Sequence, residues 1–301
     1  MNFKSITRRL APFAALLGLG SPAIAEEAAF DRADADPALW VLADDDTKIY
    51  LFGTMHALKP DLVWFDDAVS EAFAESDQLV LEILDPDESQ IGPFLAKSAM
   101  APQGEGLSTI LTEDQYGRFE KATASLGIPA QALEQMRPWF AGVTLAAAPL
   151  AKMGYSPESG AEKILSAAAA EKGMTIAGLE TFEQQMGFFS DLSKEDQVAF
   201  LMSGVDELPN MEQTFTDMEK AWATGDTAAT AKLLNEGMEE TPTLYNVLLA
   251  NRNKAWAEWI GQRMETPGTV FIAVGAGHLA GDDSVQALLA GKGLNATRVE
   301  Y

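Results

Sequence analysis

Short apolar runs bounded by polar turns predict β-strands in this chain at residues 40–42, 48–52, 78–83, 174–180 and 269–274, and a further short strand ends at Glu300. The first two runs flank an acidic turn at Asp44–Asp46. The segments between the runs have apolar residues at helical spacing, in a short stretch at 64–73 and in long blocks at 85–174 and 181–264. This alternation predicts an α/β protein with a long helical insertion at about 85–265.

Two parts of the chain share one order of features. An apolar strand runs into Gly-x-x-His, followed by a loop, an amphipathic helix and a short strand that carries an acid. The first copy leads from His56 to Glu82, and the second leads from His278 to Glu300. We expect a duplicated strand-turn-helix-strand unit whose strands contribute to one central mixed sheet. Chance similarity between two common βα elements is the alternative interpretation.

The first 25 residues have the pattern of an export signal. A basic start is followed by an apolar run at 10–19, and Ala23-Ile24-Ala25 then predicts cleavage after Ala25. A buried helix or an uncleaved anchor is the alternative, but an apolar run interrupted by Pro12 is too short to span a bilayer. We therefore predict a periplasmic or secreted domain at 26–301, without stable membrane insertion after cleavage.

Composition narrows the possible functions. The chain has 45 Asp and Glu against 21 Lys and Arg, a formal net charge of −24. Removing residues 1–25 deletes three cations and no acid, which leaves 18 against 45, or −27. Such a charge repels nucleic acid and anionic membranes, so we predict neither as a partner. Cysteine is absent, which excludes disulfides, thiolate nucleophiles and cysteine metal sites, and only His56 and His278 supply imidazole.

Both histidines come directly after a predicted strand. Because side chains beyond the carboxyl ends of strands meet at one edge of an α/β sheet, we expect His56 and His278 to lie near each other. Paired imidazoles, with carboxylates completing the set, are ligands for zinc, cobalt, manganese or iron. Glu82 and Glu180, which end two other strands, are the candidate carboxylates. The alternatives are hydrogen-bonded structural histidines and glutamates at a strand end or a helix start.

A late helix, predicted at 242–264, carries Arg252 and Asn253 and leads into the second histidine strand. These side chains can clamp a substrate carbonyl or carboxylate. Ordinary polarity of a surface helix explains the same spacing.

Four segments together resemble the TraB/GumN family, which includes the Tiki metalloproteases. They are Gly53-Thr54-Met55-His56, Gly178-Leu179-Glu180-Thr181, Arg252-Asn253 and the run from Ala273 to Leu279. The resemblance extends from about residue 38 to the C-terminus and includes Arg137-Pro138-Trp139 and Gly154-Tyr155 in the middle of the chain. It implies a duplicated α/β fold and a metal-dependent peptidase centre, in which His56 and His278 act with Glu82 and Glu180.

One position departs from the family pattern. Many relatives have an aspartate where this chain has Glu162, in Gly160-Ala161-Glu162. The longer side chain shifts any contact that it makes, so Glu162 is not included in the predicted site.

The leading hypothesis is a metal-dependent hydrolase that acts on a peptide or protein. A divalent ion (Mn, Co or Zn) would bind His56, His278 and Glu82 or Glu180, and would activate water. The other glutamate would be the general base, and Arg252 would stabilise the oxyanion or hold a substrate carboxylate. Two alternatives remain open: a non-catalytic protein that binds a peptide or a polysaccharide-related partner, and a polysaccharide-processing enzyme that uses Glu82 and Glu180.

Overall fold

A computed structural model describes residues 33–86, 88–239 and 242–301. The predicted signal peptide and its cleavage site lie outside the described residues. Two compact units are present within these ranges: a helical unit, at 85–154 and 181–213, and a sheet unit, at 33–84, 155–180 and 214–301. Every residue of the predicted site belongs to the sheet unit.

The sheet unit is built on one six-stranded mixed sheet, which confirms the predicted fold class. The strands of the chain are β1 (Ala33–Asp34), β2 (Leu39–Ala43), β3 (Thr47–Thr54), β4 (Leu62–Val63), β5 (Gln78–Leu81), β6 (Thr175–Gly178), β7 (Gly268–Gly275) and β8 (Thr297–Arg298). The order across the sheet is β6-β5-β7-β3-β2-β8. Strands β6, β5, β7 and β3 are parallel to one another, whereas β2 pairs antiparallel with both β3 and β8. A separate parallel pair joins β1 to β4.

Helices form most of the remaining described chain. They are α1 (Asp67–Ala74), α2 (Glu88–Phe94), α3 (Leu107–Ile110), α4 (Glu113–Ser125), α5 (Pro138–Ala147), α6 (Ala161–Lys172), α7 (Phe182–Ser190), α8 (Lys194–Glu207), α9 (Met211–Ala223), α10 (Thr227–Glu239), α11 (Pro242–Tyr245), α12 (Asn251–Arg263) and α13 (Val285–Ala290). Two five-residue π-helical turns, at Leu95–Ala99 and Asn246–Ala250, follow α2 and α11. Within the described ranges, no helix is both long enough and apolar enough to cross a membrane.

The two central strands are apolar on both faces, as expected for parallel strands covered on each side. Phe52 of β3 and Phe271 of β7 pack into one buried cluster, whereas Leu51 and Ile272 pack into another. Alternation along each strand sends neighbouring side chains to opposite faces, so both faces of the sheet become core. A rigid double-sided core thus fixes where β3 and β7 end, and the site begins at those ends.

Candidate functional site

Both Gly-x-x-His segments leave the sheet at the same edge. Strands β3 and β7 are parallel neighbours, with Gly53 opposite Val274 and Thr54 opposite Gly275. Glycine at position 53 favours this close approach, because a Cβ atom there would lie only 3.1 Å from the Cα atom of Ala276. The parallel register therefore brings the two motifs together, as the sequence predicts.

His278 is buried and is held through both ring nitrogens. Its Nδ1 lies 2.5 Å from Oδ1 of Asn253, and its Nε2 lies 3.0 Å from Nη1 of Arg252. A guanidinium group only donates hydrogen bonds, so Nε2 of His278 accepts and the proton resides on Nδ1. Burial, with the positive charge of Arg252 adding to it, lowers the pKa of His278 to about 3, although Glu82 opposes the shift. His278 is therefore a neutral imidazole near pH 7.

The amide of Asn253 has a fixed orientation. Its side chain is completely buried on α12, and its Nδ2 donates to the backbone carbonyl of Asp283 at 2.8 Å. The amide oxygen must therefore face the ring, where it accepts the Nδ1 proton of His278. Trp256, one turn further along α12, packs beside the same ring, with ring centroids 4.4 Å apart. These contacts determine both the tautomer and the orientation of His278.

Glu82 lies immediately beyond β5 and is buried as an ionised carboxylate. Its Oε1 accepts from the backbone N–H of Gly275 at 2.7 Å, and its Oε2 accepts from Nη2 of Arg252 at 2.5 Å. Burial raises the pKa of this carboxyl, but the positive charge of Arg252 and the N–H of Gly275 help to outweigh burial, and the net pKa is well below the usual value. Oε1 also lies 3.7 Å from Nε2 of His278.

Glu180 follows β6 and faces the same guanidinium. Its carboxylate oxygens accept from Nε and Nη2 of Arg252 at 2.8 and 2.9 Å, and from the indole N–H of Trp256 at 3.1 Å. The pKa of Glu180 is raised, because burial and the nearby negative charge of Glu82 outweigh these hydrogen bonds. The two glutamates, which both follow parallel strands, thus have pKa values shifted in opposite directions. Such a pair suits two different chemical roles.

Arg252 is the centre of this network. Its Nη1 also donates to the backbone carbonyl of Leu248 at 3.2 Å, in addition to the contacts with His278, Glu82 and Glu180. A guanidinium has five N–H groups, and these five contacts account for all of them. Arg252 therefore serves here as the counter-ion of two buried carboxylates. Its role as a substrate clamp stays a prediction.

His56 has a different partner from His278. Its Nδ1 lies 2.7 Å from Oε1 of Glu162, which also accepts from the hydroxyl of Thr54 at 2.5 Å. The negative charge of Glu162 is the main reason that the pKa of His56 is raised to about 9. The pKa of Glu162 is lowered, because His56 outweighs its burial. The side chain of His56 remains 62% exposed.

The structure thus joins four of the five predicted site residues in one hydrogen-bonded network, namely Glu82, Glu180, Arg252 and His278. His56 lies near enough to Glu82 and Arg252 for their charges to affect its pKa, but it bonds to Glu162. Glu162, in the first turn of α6, is the contact that the sequence reasoning missed. The motif Gly160-Ala161-Glu162 was the available signal, because the family resemblance implies an acid at this position.

The donor chemistry fits a divalent ion in part. Nε2 of His278 and Oε1 of Glu82 are in the protonation states of metal ligands, and their 3.7 Å separation is near the ~3.4 Å expected for two ligands at about 2.1 Å in a tetrahedron. Each histidine is also held through Nδ1 by a side-chain oxygen, as in metal-binding histidines. However, among the described residues no group of three His, Asp or Glu side chains is arranged to hold a metal ion. Arg252 instead bonds to Nε2 of His278 and to Glu82.

Comparison with known proteins identifies relatives along nearly the whole chain. The protein YbaP, which is uncharacterized, is 24% identical over 253 residues in both Escherichia coli and Shigella flexneri, covering 84% of this chain and 92% of each relative. An uncharacterized protein of Treponema pallidum is 20% identical over 260 residues, covering 82% of this chain and 78% of that protein. No solved structure matches at a significant level. The profile of the TraB/PrgY/gumN family matches residues 38–298, and the chain therefore belongs to that family.

Proposed function

We propose that the sheet edge around His56 and His278 is the centre of a metal-dependent hydrolase that cleaves peptide bonds in an exported compartment. One observation carries the proposal: each Gly-x-x-His histidine has its Nδ1 held by a side-chain oxygen, at 2.7 Å by Glu162 and at 2.5 Å by Asn253. This arrangement directs the Nε2 atom toward a ligand and is the usual support of metal-binding histidines. Family membership and the buried carboxylates at the same edge add support.

His278 and Glu82 would hold the ion, and His56 would have to move to join them, because these three side chains are not already arranged as a metal-binding group. The bound ion would supply an activated water molecule for attack on a carbonyl group. His278 is already neutral, and the carboxyl of Glu82 is already ionised. His56 has to lose a proton first, because its pKa of about 9 keeps it charged near pH 7. Metal affinity is therefore expected to rise with pH.

Glu180 is the candidate general base, because its raised pKa lies nearer to neutrality than that of Glu82. Arg252 orients both carboxylates through its bonds to them. Binding of an ion to Nε2 of His278 requires Nη1 of Arg252 to release that atom, since one lone pair cannot serve both partners. The N–H group at Nη1 that His278 releases could then turn toward a developing oxyanion.

The experiment measures metal and turnover together. Purified protein is stripped with a chelator and titrated with Mn²⁺, Co²⁺ and Zn²⁺ by calorimetry, beside His56→Ala, His278→Ala and Glu162→Gln. Wild type should bind one equivalent, both alanine variants should lose binding with unchanged circular dichroism, and Glu162→Gln should bind about 10- to 100-fold more weakly. Glu158→Gln is the matched control, because Glu158 lies on the same segment and bonds to Ser156.

Peptide cleavage is read by mass spectrometry on a mixed peptide library, with and without added metal. Cleavage that needs both the ion and His278 supports the hydrolase. Saturable peptide binding with intact peptide would instead identify a binding protein. Full cleavage by both alanine variants would exclude the proposed centre.

A further inference from the structure

A second polar site lies wholly within the helical unit. It is a cavity of about 240 Å³, lined by the polar residues Glu105, Arg137, Ser190, Lys194 and Gln197 and by an apolar wall. The wall comes from Ala101, Pro102, Ile110, Pro138 and Leu192. None of these residues takes part in the histidine site, which belongs to the other unit.

The triplet Arg137-Pro138-Trp139 holds the arginine at this cavity. Trp139 is fully buried and donates its indole N–H to the carbonyl of Ser98 at 3.0 Å, which anchors the start of α5. Pro138 begins the helix and restricts Arg137 to an extended backbone conformation, with φ −67° and ψ 153°. Nε of Arg137 donates to the carbonyl of Met100 at 3.3 Å. Within the described part of the chain, the terminal nitrogens of this guanidinium have no hydrogen-bond acceptor, so they can bind a ligand.

The two cations of the cavity have no acidic partner among the described residues. Arg118, Lys48, Lys59 and Lys292 each lie within 4 Å of a carboxylate, but neither Arg137 nor Lys194 does. With Glu105 counted, the lining still has a net positive charge, so the cavity favours an anion.

The cavity also offers a hydrogen-bond acceptor and an aliphatic surface. Gln197 is 5% exposed, and its Nε2 donates to the carbonyls of Ser190 and Leu192 at 3.2 and 3.0 Å. The amide nitrogen is thereby fixed, and the amide oxygen is left to accept from a ligand N–H. Ile110 and Leu192 supply apolar contact.

From these features we infer that the cavity binds the C-terminal residue of a peptide. The guanidinium of Arg137 matches a carboxylate with two parallel hydrogen bonds, which a point charge cannot reproduce. Lys194 adds long-range attraction, the oxygen of Gln197 accepts the N–H of the terminal residue, and the apolar wall takes a small aliphatic side chain. A volume of about 240 Å³ accommodates one such residue. This inference does not depend on the hydrolase proposal.

The test uses N-acetyl-leucine as probe, with N-acetyl-leucinamide and acetate as comparisons, in NMR titrations of the full chain that follow the side-chain amide signal of Gln197. The acid should bind at least about tenfold more tightly than the amide or acetate. Arg137→Gln should weaken binding of the acid by at least about tenfold, and Lys194→Ala by about two- to threefold. Glu105→Gln should strengthen it by about twofold, because a repelling charge is removed.

Lys121→Ala is the matched control, since Lys121 is an exposed cation of the same unit outside this cavity and should leave affinity unchanged. If Arg137→Gln does not fold, the opposite effects of Lys194→Ala and Glu105→Gln decide the question. Equal binding of acid and amide overturns the inference, as does weaker binding after Glu105→Gln. If acetate binds as tightly as N-acetyl-leucine, the cavity is a general carboxylate site and peptide recognition is ruled out.

Discussion

His56 and His278 occupy equivalent places in the two motifs, yet they differ in charge. His56 bonds to the carboxylate of Glu162 and its side chain is 62% exposed, so it holds a second proton. His278 faces an amide oxygen and the cation of Arg252 in a buried setting, so it stays neutral. The difference comes from the partner of each Nδ1 atom, Glu162 in one motif and Asn253 in the other. Neither partner is specified by the Gly-x-x-His pattern itself.

Replacing Glu162 with glutamine should change how stability depends on pH. The pKa of His56 is raised from 6.5 to about 9 in the folded protein, so its contribution is fully present below pH 6.5 and is lost as pH rises through 9. Because His56 is largely exposed, the contribution should be no more than about 1 kcal/mol. Urea unfolding of metal-stripped wild type and Glu162→Gln at pH 6 and pH 10 measures it.

The difference in unfolding free energy between the two proteins should shrink at pH 10. Glu158→Gln, which removes a neighbouring charge without touching either histidine, should show no such pH-dependent difference. A constant difference at both pH values would mean that Glu162 stabilises the fold through its bond to Thr54 instead.

At the scale of secondary structure elements, the strands and many helices of the sheet unit follow from local patterns. The runs at 48–52 and 269–274 contain the apolar centres of β3 and β7, and Gly173 ends α6 in a left-handed conformation, with φ 67°. The pairing of the strands does not follow from local patterns. Nothing local indicates that β5 lies beside β7 rather than beside β3, the strand of the same sheet that precedes it in the chain. Strand order depends on contacts far apart in sequence, which a single sequence does not record.

Local sequence patterns likewise predicted only part of the site. Residues at the ends of predicted strands were correctly expected at one edge, because strand direction alone brings them there. Arg252 sits on a helix more than 70 residues from Glu180, and the Arg252-Asn253 motif marked it as a candidate without indicating which side chains it would bond. Glu162 was set aside because of its length. The structure shows that this longer side chain reaches both Thr54 and His56.

The entry into α6 depends on a glycine. Gly160 has an ordinary backbone conformation, with φ −59° and ψ 145°, but a Cβ atom there would overlap the carbonyl oxygen of His56. Gly160→Ala should therefore destabilise the protein by about 1–3 kcal/mol through a steric clash, and should displace His56 from Glu162. Urea unfolding measures the loss of stability. A pH titration of His56 followed by NMR measures the displacement, as a fall in the pKa of His56 toward 6.5.

Gly117→Ala is the matched control for this change. Gly117 lies inside α4, and no atom is within 4 Å of a Cβ built there. Alanine should be neutral or stabilise the protein by about 0.5–1 kcal/mol, because it has the higher helix propensity. Equal effects of the two substitutions would show that the space around Gly160 does not constrain His56.

At the scale of the whole molecule, exposed charges and a buried charge network respond differently to salt. The surface carries a net charge of −24, which repels itself and is screened by salt. The network around Arg252 is buried, with Glu82 and Arg252 7% and 9% exposed, so salt screens it far less. The two contributions can therefore be separated by varying ionic strength.

Raising NaCl from 10 to 500 mM should stabilise metal-stripped wild type by about 1 kcal/mol, or about 2–4 °C in Tm, because it weakens the repulsion among surface acids. Arg252→Met should cost about 3–5 kcal/mol at both salt concentrations, since it leaves two buried carboxylates without their counter-ion. Lys48→Met is the control: it breaks an exposed pair with Glu75, so its cost should be below about 1 kcal/mol and should vanish in high salt. Calorimetric melting of the three proteins at both concentrations measures these effects. If high salt lowers the cost of Arg252→Met as it lowers the cost of Lys48→Met, water and ions reach the network around Arg252. The site would then lack the dry crevice that strong electrostatic catalysis needs.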